Sequence, residues 1–257
     1  MKYDNRELLT QPLVPNFWKV PNDNQQKNNY LGRLGQWYKA SEERKVTSTK
    51  TEHPNSGQIR VTADMELLGG DADFQIVYDI YDNGNILVET KYQPNPDVKI
   101  SNLPRFGMTF AVSKQYNHVR WYGRGPHENY WDRKTGAEIA HYEKTVEGMV
   151  FPYIRSQDTG NRTDTRWFCV TDDQGKGLRI TMVNQPMSFS VWPYTMEDLQ
   201  QALHEYELPR RDFNTVFVDW KLHGVGGDNS WGARTHPQYQ LPSSQAYSLS
   251  FVVQPNR

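Results

Sequence analysis

A tryptophan within a glycine-rich segment is the first group in this sequence whose type and setting suggest recognition of a ligand. The segment KLHGVGGDNSWG, residues 221–232, places Trp231 among four glycines and polar residues, with Asp228 and Asn229 just before it. Glycine permits positive φ and close backbone approach, at an entropic cost. An indole in such a loop offers a flat face for the C–H side of a sugar ring or for a partner domain. Core burial is the ordinary alternative for a tryptophan.

A second segment, WYGRGPHENYWDRKTGA at residues 121–137, is dense in hydrogen-bonding and aromatic side chains. Gly125 and Pro126 predict a tight turn directly after a strand, where functional loops commonly lie. The alternative interpretation is that Arg124 and Glu128 pair with each other and only stabilise the loop. The candidate binding residues of this segment are Arg124, His127 and Glu128.

The same segment contains residue types that bind metals, but their spacing argues against a metal site. The residues concerned are His127, Glu128, Asp132 and His141. They match no compact ligand pattern, and adjacent residues of an extended segment point in opposite directions. The sequence therefore predicts no metal and no cofactor in this chain.

Alternation of apolar and polar residues predicts that strands position these segments. Two alternating runs, 73–82 and 85–93, meet at Asn83-Gly84, which is a strong hairpin signal. One helix is predicted over 195–208, where Thr195 and Asp198 form a capping box. Segments 93–104 and 153–164 are predicted to be surface loops. The other predicted strands cover 58–67, 105–112, 118–123, 165–172, 177–184, 187–194, 214–222 and 246–254.

The absence of alternating strands and helices argues against a (β/α)8 barrel or a dinucleotide-binding fold. The predicted fold class is all-β: a single antiparallel β-sandwich domain over residues 1–257, with one short helix. Its 29 basic and 30 acidic residues nearly cancel, so charge gives no reason to expect a nucleic acid or an anionic membrane as partner. No apolar run reaches the length of a membrane span. The start, MKYDNRELLT, lacks a signal-peptide core, which favours the cytoplasm and leaves a periplasmic location open.

Six segments, in order, closely resemble one known family. They are PNFWKVPNDN (15–24), LPRFGMTFAV (103–112), WYGRGPHENYWDRKTGA (121–137), GNRTDTRW (160–167), PYTMEDLQQALHEYEL (193–208) and GVGGDNSWG (224–232). The chain from Leu8 to Pro255 resembles the C-terminal domain, or small chain, of the large β-galactosidases of glycoside hydrolase family 2.

The resemblance implies a supersandwich like that of galactose mutarotase, in an enzyme that hydrolyses terminal non-reducing β-D-galactose residues. The two catalytic glutamates, and the magnesium and sodium ions, are then expected in other domains, including a (β/α)8 barrel, of a homo-oligomeric parent. This chain would be a carbohydrate-binding part without catalytic residues. The family's tryptophan in a Gly-Gly-Asp-Asp/Asn-Ser-Trp loop corresponds to Trp231, which implies that Trp231 completes the galactoside pocket of the barrel.

Two departures from the family pattern bear on these expectations. Family members begin some tens of residues before the PNFW motif, so the domain is expected to be truncated at its N-terminal edge. Asp158 and Thr159 stand where relatives often have Glu and Asn, which weakens any specific contact assigned to Asp158.

Two other functions remain open from sequence. An aldose 1-epimerase needs an acid and a base on opposite sides of the sugar, for which the adjacent pairs His127–Glu128 and His204–Glu205 are poor candidates. A carbohydrate-binding module that acts alone would explain the aromatic content of 13%.

Overall fold

The computed structural model describes residues 2–3 and 6–256, which form two large antiparallel sheets and a two-stranded one. The strands are β1 Lys2–Tyr3, β2 Arg6–Glu7, β3 Gln11–Asn16, β4 Lys45–Asn55, β5 Gln58–Leu67, β6 Ala72–Tyr81, β7 Ile86–Pro94, β8 Arg105–Ser113, β9 His118–Gly125, β10 Glu138–Thr145, β11 Arg162–Thr165, β12 Trp167–Thr171, β13 Gly177–Met182, β14 Met187–Trp192, β15 Phe213–Leu222 and β16 Tyr247–Asn256. The α-helices are α1 Asp23–Lys27, α2 Tyr30–Leu34, α3 Val146–Met149 and α4 Met196–Gln201, with 3₁₀ turns at Gly35–Trp37, Glu205–Glu207 and Pro237–Tyr239.

The larger sheet has nine strands in the order β10-β9-β12-β13-β16-β7-β6-β5-β4. The predicted hairpin at Asn83-Gly84 is confirmed: β6 and β7 pair antiparallel up to Ile80 and Ile86. Gly84 has a φ of 85°, a conformation that glycine adopts without steric cost. The turn therefore fixes the register of the strands that lead out of it.

The smaller sheet, in the order β11-β14-β15-β8-β3, packs its apolar face against the larger sheet. Alternate residues of β8, such as Phe106 and Met108, enter one core with Phe74 and Phe251 of the larger sheet. The intervening residues face the other way, and among them Arg105 and Ala111 are also buried. The all-β antiparallel sandwich predicted from the alternation is confirmed.

Helices are more numerous than the one predicted, since the part of the chain that the structure describes contains four, all of them short. The helix expected over 195–208 is confirmed at its start by the reciprocal Thr195–Asp198 capping box, but it ends at Gln201. Beyond it, the Glu207 carboxylate accepts a hydrogen bond from the Leu203 amide at 2.8 Å, and a 3₁₀ turn replaces the helix. No helix among residues 2–3 and 6–256 is long and apolar enough to cross a membrane.

Two other differences from the sequence predictions have clear physical causes. Strand β4 was not predicted because it is an edge strand, exposed over nearly all its length, and lacks an alternating pattern. Segment 153–164 is not a surface loop as predicted, since Asp158, Asn161 and Arg162 are buried and β11 begins within it. Its polar side chains find partners far away in the sequence, which local patterns do not reveal. The expectation of a truncated N-terminal edge concerns the start of the chain, and Met1 lies outside the described residues.

Candidate functional site

The segment 223–236 that follows β15, here called the Trp231 loop, holds its tryptophan away from the core. The Trp231 side chain is 89% exposed. Its backbone N–H donates to Asn229 Oδ1 at 2.9 Å, so Asn229 shapes the turn just before the indole. Asp228 Oδ1 lies 2.7 Å from His236 Nε2, which ties the two sides of the loop together. Core burial, the ordinary alternative for a tryptophan, is therefore wrong here.

Helix α1 fastens the base of the Trp231 loop although the two are about 200 residues apart in sequence. The hydrogen bonds, from donor to acceptor, are Asn22 Nδ2 to Val225 O (2.8 Å), Gln25 Nε2 to Gly224 O (2.9 Å), Asn24 Nδ2 to Ala233 O (3.0 Å) and Gly232 N to Asn24 Oδ1 (2.6 Å). These bonds satisfy backbone groups that a loop would otherwise leave to water. The loop is anchored at its base while its indole faces solvent.

Two of the loop glycines are required by this anchoring. A Cβ on Gly227 would lie 2.5 Å from the Ala233 carbonyl oxygen and 2.8 Å from Asn24 Nδ2, closer than real contacts allow. Gly232 has a φ of 101°, which other residues rarely adopt. The glycines that mark the segment in the sequence therefore permit close packing of the loop on α1.

A buried lysine supports α1 from below. Lys19 Nζ donates to Gln25 Oε1 at 2.8 Å, and the Gln25 amide in turn bonds the loop. The pKa of Lys19 is lowered to about 8, chiefly by burial and also by Arg105, against the opposing effects of Asp158 and Asp132. Lys19, whose charge is costly to bury, is therefore linked to the Trp231 loop through Gln25.

Asp132 connects the Trp231 loop to the polar segment 121–137, here called the polar loop. Its Oδ2 atom accepts from the Gly226 amide at 2.7 Å. The sequence analysis named Asp132 as a possible metal ligand, whereas the structure makes it a contact of the Trp231 loop.

Within the polar loop, Glu128 is enclosed by donors of its own chain. Its side chain is 7% exposed. One oxygen accepts hydrogen bonds from Arg133 and from the Tyr153 hydroxyl. The other accepts from the Gly160 amide at 2.8 Å and the Thr159 hydroxyl at 3.2 Å. With its acceptor positions taken, Glu128 does not present a free carboxylate to a ligand.

Arg124 also turns to its own chain. It bonds the Asp164 carboxylate through Nε at 2.5 Å and the Ala137 carbonyl through Nη1 at 2.6 Å. A direct Arg124–Glu128 pair is therefore wrong, because each has found another partner, yet the stabilising role behind that idea holds for both. The third candidate, His127, lies exposed at the surface.

A buried ionic cluster that the sequence did not indicate lies behind the smaller sheet. Arg105 Nη2 donates to Asp158 at 3.0 Å, and the Tyr130 hydroxyl donates to the same carboxylate at 2.9 Å. Asp219 lies 3.5 Å from Arg105 Nε. Burial and the neighbouring Asp158 raise the pKa of Asp219 to about 7, against the opposing effect of Arg105. Asp158 therefore has specific structural contacts.

The residues weighed for metal binding or epimerase chemistry are dispersed. Among residues 2–3 and 6–256, no three His, Cys, Asp or Glu side chains come together in a group that could hold a metal ion. His141 stacks on Tyr122 with ring centroids 4.6 Å apart. His204 Nδ1 lies 3.0 Å from Glu207, not Glu205. No candidate acid–base pair considered from sequence is assembled by these contacts.

Solved structures resemble this chain only distantly. An aldose epimerase (GalM) homologue from C. elegans aligns over 81% of this chain and 68% of its own, with a TM-score of 0.42 and 10% identity. A galactose mutarotase related enzyme from Lactobacillus acidophilus aligns over 82% of this chain and 72% of its own, with a TM-score of 0.42 and 9% identity.

Sequence relatives are much closer. A β-galactosidase from Priestia megaterium is 37% identical over 98% of this chain and 24% of its own length. A β-galactosidase from Halalkalibacterium halodurans is 34% identical over 100% of this chain and 25% of its own length. A β-galactosidase from Streptococcus thermophilus is 33% identical over 99% of this chain and 25% of its own length. The chain thus spans about a quarter of the length of these relatives. A family model described as the β-galactosidase small chain matches residues 1–253. This chain therefore belongs to the β-galactosidase small-chain family.

Proposed function

We propose that this chain is the non-catalytic, carbohydrate-binding part of a β-galactosidase that hydrolyses terminal β-D-galactose residues. In this proposal Trp231 completes a galactoside pocket whose catalytic glutamates and metal ions belong to another domain. The observation that carries the proposal is an indole 89% exposed on a loop held at its base by α1 and Asp132. A rigidly mounted aromatic face can stack on a sugar without first paying to order the loop.

The hydrogen bonds that three carboxylates make within the chain support a non-catalytic role. A glycosidase needs two carboxyl groups on either side of the scissile bond, one of them able to donate a proton. Glu128 accepts four hydrogen bonds, and Asp158 is buried against Arg105 and Tyr130. Asp164 is held by Arg124 and Lys134. We therefore expect this chain, purified without a catalytic domain, not to hydrolyse a chromogenic β-galactoside.

The test of the tryptophan's role is the change Trp231→Ala in the whole β-galactosidase. Stacking of an aromatic ring contributes about 0.5–1.5 kcal/mol beyond area burial, so KM for a galactoside should rise roughly 2- to 12-fold. We expect kcat to change less, because the indole touches the bound sugar and not the reacting atoms. Trp231→Tyr is the matched control, since it keeps an aromatic face, and its KM should stay closer to that of the wild type. An unchanged KM in Trp231→Ala would refute the assignment.

A further inference from the structure

A patch of exposed apolar side chains lies on two segments that touch each other. Ile154 is 87% exposed and Tyr206 is 79% exposed, and Phe151 and Leu203 are more than half exposed. The segments are joined by a backbone bridge between Arg155 and His204 and by a hydrogen bond from the Ser156 amide to the Leu203 carbonyl. Phe151, Ile154, Leu203 and Tyr206 are called the apolar patch below. Single exposed apolar residues need no explanation, but a contiguous group of large ones marks an interaction surface.

Helix α1 links the apolar patch to the Trp231 loop, since each of its ends contacts one of them. Arg155 Nε, beside Ile154, lies 3.2 Å from the carboxylate of Asp23 at the start of α1. At the other end of α1, a Cβ on Gly232 would lie 3.2 Å from the backbone of Lys27. Five helical residues span only about 6 Å, at 1.5 Å per residue. The Trp231 loop and the segment that carries Ile154 are therefore both attached to this one short helix.

The backbone and rings of the apolar patch are held in place from within. The Phe151 amide donates to the Thr159 hydroxyl at 2.8 Å, and the ring packs on Tyr153, whose hydroxyl bonds Glu128. Tyr206 stacks on His204 with ring centroids 5.2 Å apart. These exposed groups are thus pre-organised, which lowers the entropic cost of covering them.

The relatives indicate what covers this face. Each is about four times as long as this chain, so most of a β-galactosidase lies outside it. The inference rests on the proposed function, in which a domain with a sugar pocket reaches Trp231. The apolar patch is attached to the same helix, α1, that holds the Trp231 loop. We propose that the apolar patch is the surface on which the catalytic domain of the β-galactosidase packs, with the Arg155–Asp23 pair between the patch and Trp231. The Phe151 and Tyr206 rings and the Ile154 and Leu203 side chains supply the apolar centre expected of such an interface.

Hydroxyl-radical footprinting of the whole β-galactosidase tests this surface. Ile154 has a matched internal control in Ile139, which lies on β10 and is 39% exposed against 87%. Exposure in this chain alone predicts faster oxidation of Ile154, whereas a covering domain would make Ile154 the slower of the two. That reversal is the expected result. Faster oxidation of Ile154 than of Ile139 would overturn the proposal. Protection of Ile154 that vanishes on dilution would also overturn it, because such protection would indicate that a second copy covers the patch.

A variant pair gives an independent measurement. Ile154→Glu with Leu203→Glu should shorten the half-life of activity on heating by about tenfold or more, as expected when interface anchors worth 1.4 kcal/mol or more are lost. The control double variant, Val46→Glu with Ile139→Glu, changes two other exposed apolar side chains, 53% and 39% exposed, and should change the half-life less than twofold. Equal half-lives for the two double variants would contradict the proposal. If footprinting shows the reversal while Trp231→Ala leaves KM unchanged, the packing surface stands and the sugar contact fails.

Discussion

The Trp231 loop and the polar loop are neighbours that use their side chains in opposite ways. The polar loop turns Arg124 and Glu128 inward, where its own chain satisfies them. In the Trp231 loop, α1 satisfies backbone groups at the base, and the Trp231 indole is left in solvent. The polar loop has more of the residue types that perform chemistry, yet its Arg124 and Glu128 bond groups of their own chain. Where the hydrogen bonds go, rather than the density of polar residues, distinguishes a supporting loop from a presenting one.

The largest effect that this comparison predicts is a loss of stability in Glu128→Ala. The change leaves the buried Gly160 amide without an acceptor and removes the partner of Arg133. We expect the free energy of unfolding to fall by about 2–4 kcal/mol, because a charged acceptor with several donors is removed from a buried position. Urea unfolding followed by tryptophan fluorescence would measure it.

Two controls sharpen the Glu128 result. Glu138→Ala removes an exposed carboxylate of β10 and should change stability by less than about 0.5 kcal/mol. Trp231→Ala should be equally mild, since an exposed indole contributes little burial on folding. A Trp231 variant as unstable as the Glu128 variant would mean that the tryptophan loop, too, is chiefly structural.

A smaller effect should appear as a pH dependence of the free energy of unfolding, caused by Lys19 beneath the Trp231 loop. Burial lowers the pKa of Lys19 from 10.5 to about 8, so between these values the unfolded chain holds a proton that the folded chain has lost. Stability contributed at this site therefore rises with pH in that window. The free-energy difference between wild type and Lys19→Met should shift in favour of the wild type by about 2 kcal/mol between pH 7 and pH 9.5.

Denaturant unfolding of both proteins at several pH values would check the Lys19 prediction, because taking the difference cancels the titration of other groups. A difference that does not change with pH would mean that Lys19 is solvated as an exposed lysine is. The Trp231 loop would then have no water-excluded lysine beneath its anchoring helix, and its base would resemble that of an ordinary surface turn.

Local sequence patterns were sufficient to predict the parts of the fold whose contacts are local in sequence. Asn83-Gly84 predicted its hairpin, and Thr195 with Asp198 predicted the start of α4, because each feature is specified within a few residues. Segment 153–164 was predicted wrongly because Asp158 is satisfied by Arg105 and Tyr130, more than 25 residues away.

The candidate site shows the same division between local and distant determinants. Glycines near Trp231 marked the loop in the sequence, and the exposure of the indole agrees with that signal. Nothing near the loop indicated that Asn24 and Gln25 would fasten it, since neutral amides have no spacing rule that identifies a distant backbone partner. The stacking role of Trp231 stays a prediction.

Replacing Asp132, the contact between the two loops, should have the smallest effect on stability, and the effect should be confined to the Trp231 loop. Asp132→Ala removes the acceptor of the Gly226 amide, a loss of about 1 kcal/mol for one hydrogen bond. Amide hydrogen exchange across 224–232 should accelerate about fivefold as the loop loosens, while exchange in the strands of the core stays as it was. Asp132→Asn keeps one carbonyl oxygen and should restore most of the protection. If Asp132→Ala left exchange in the loop unchanged, α1 alone would hold Trp231 in place, and the polar loop would have no part in presenting it.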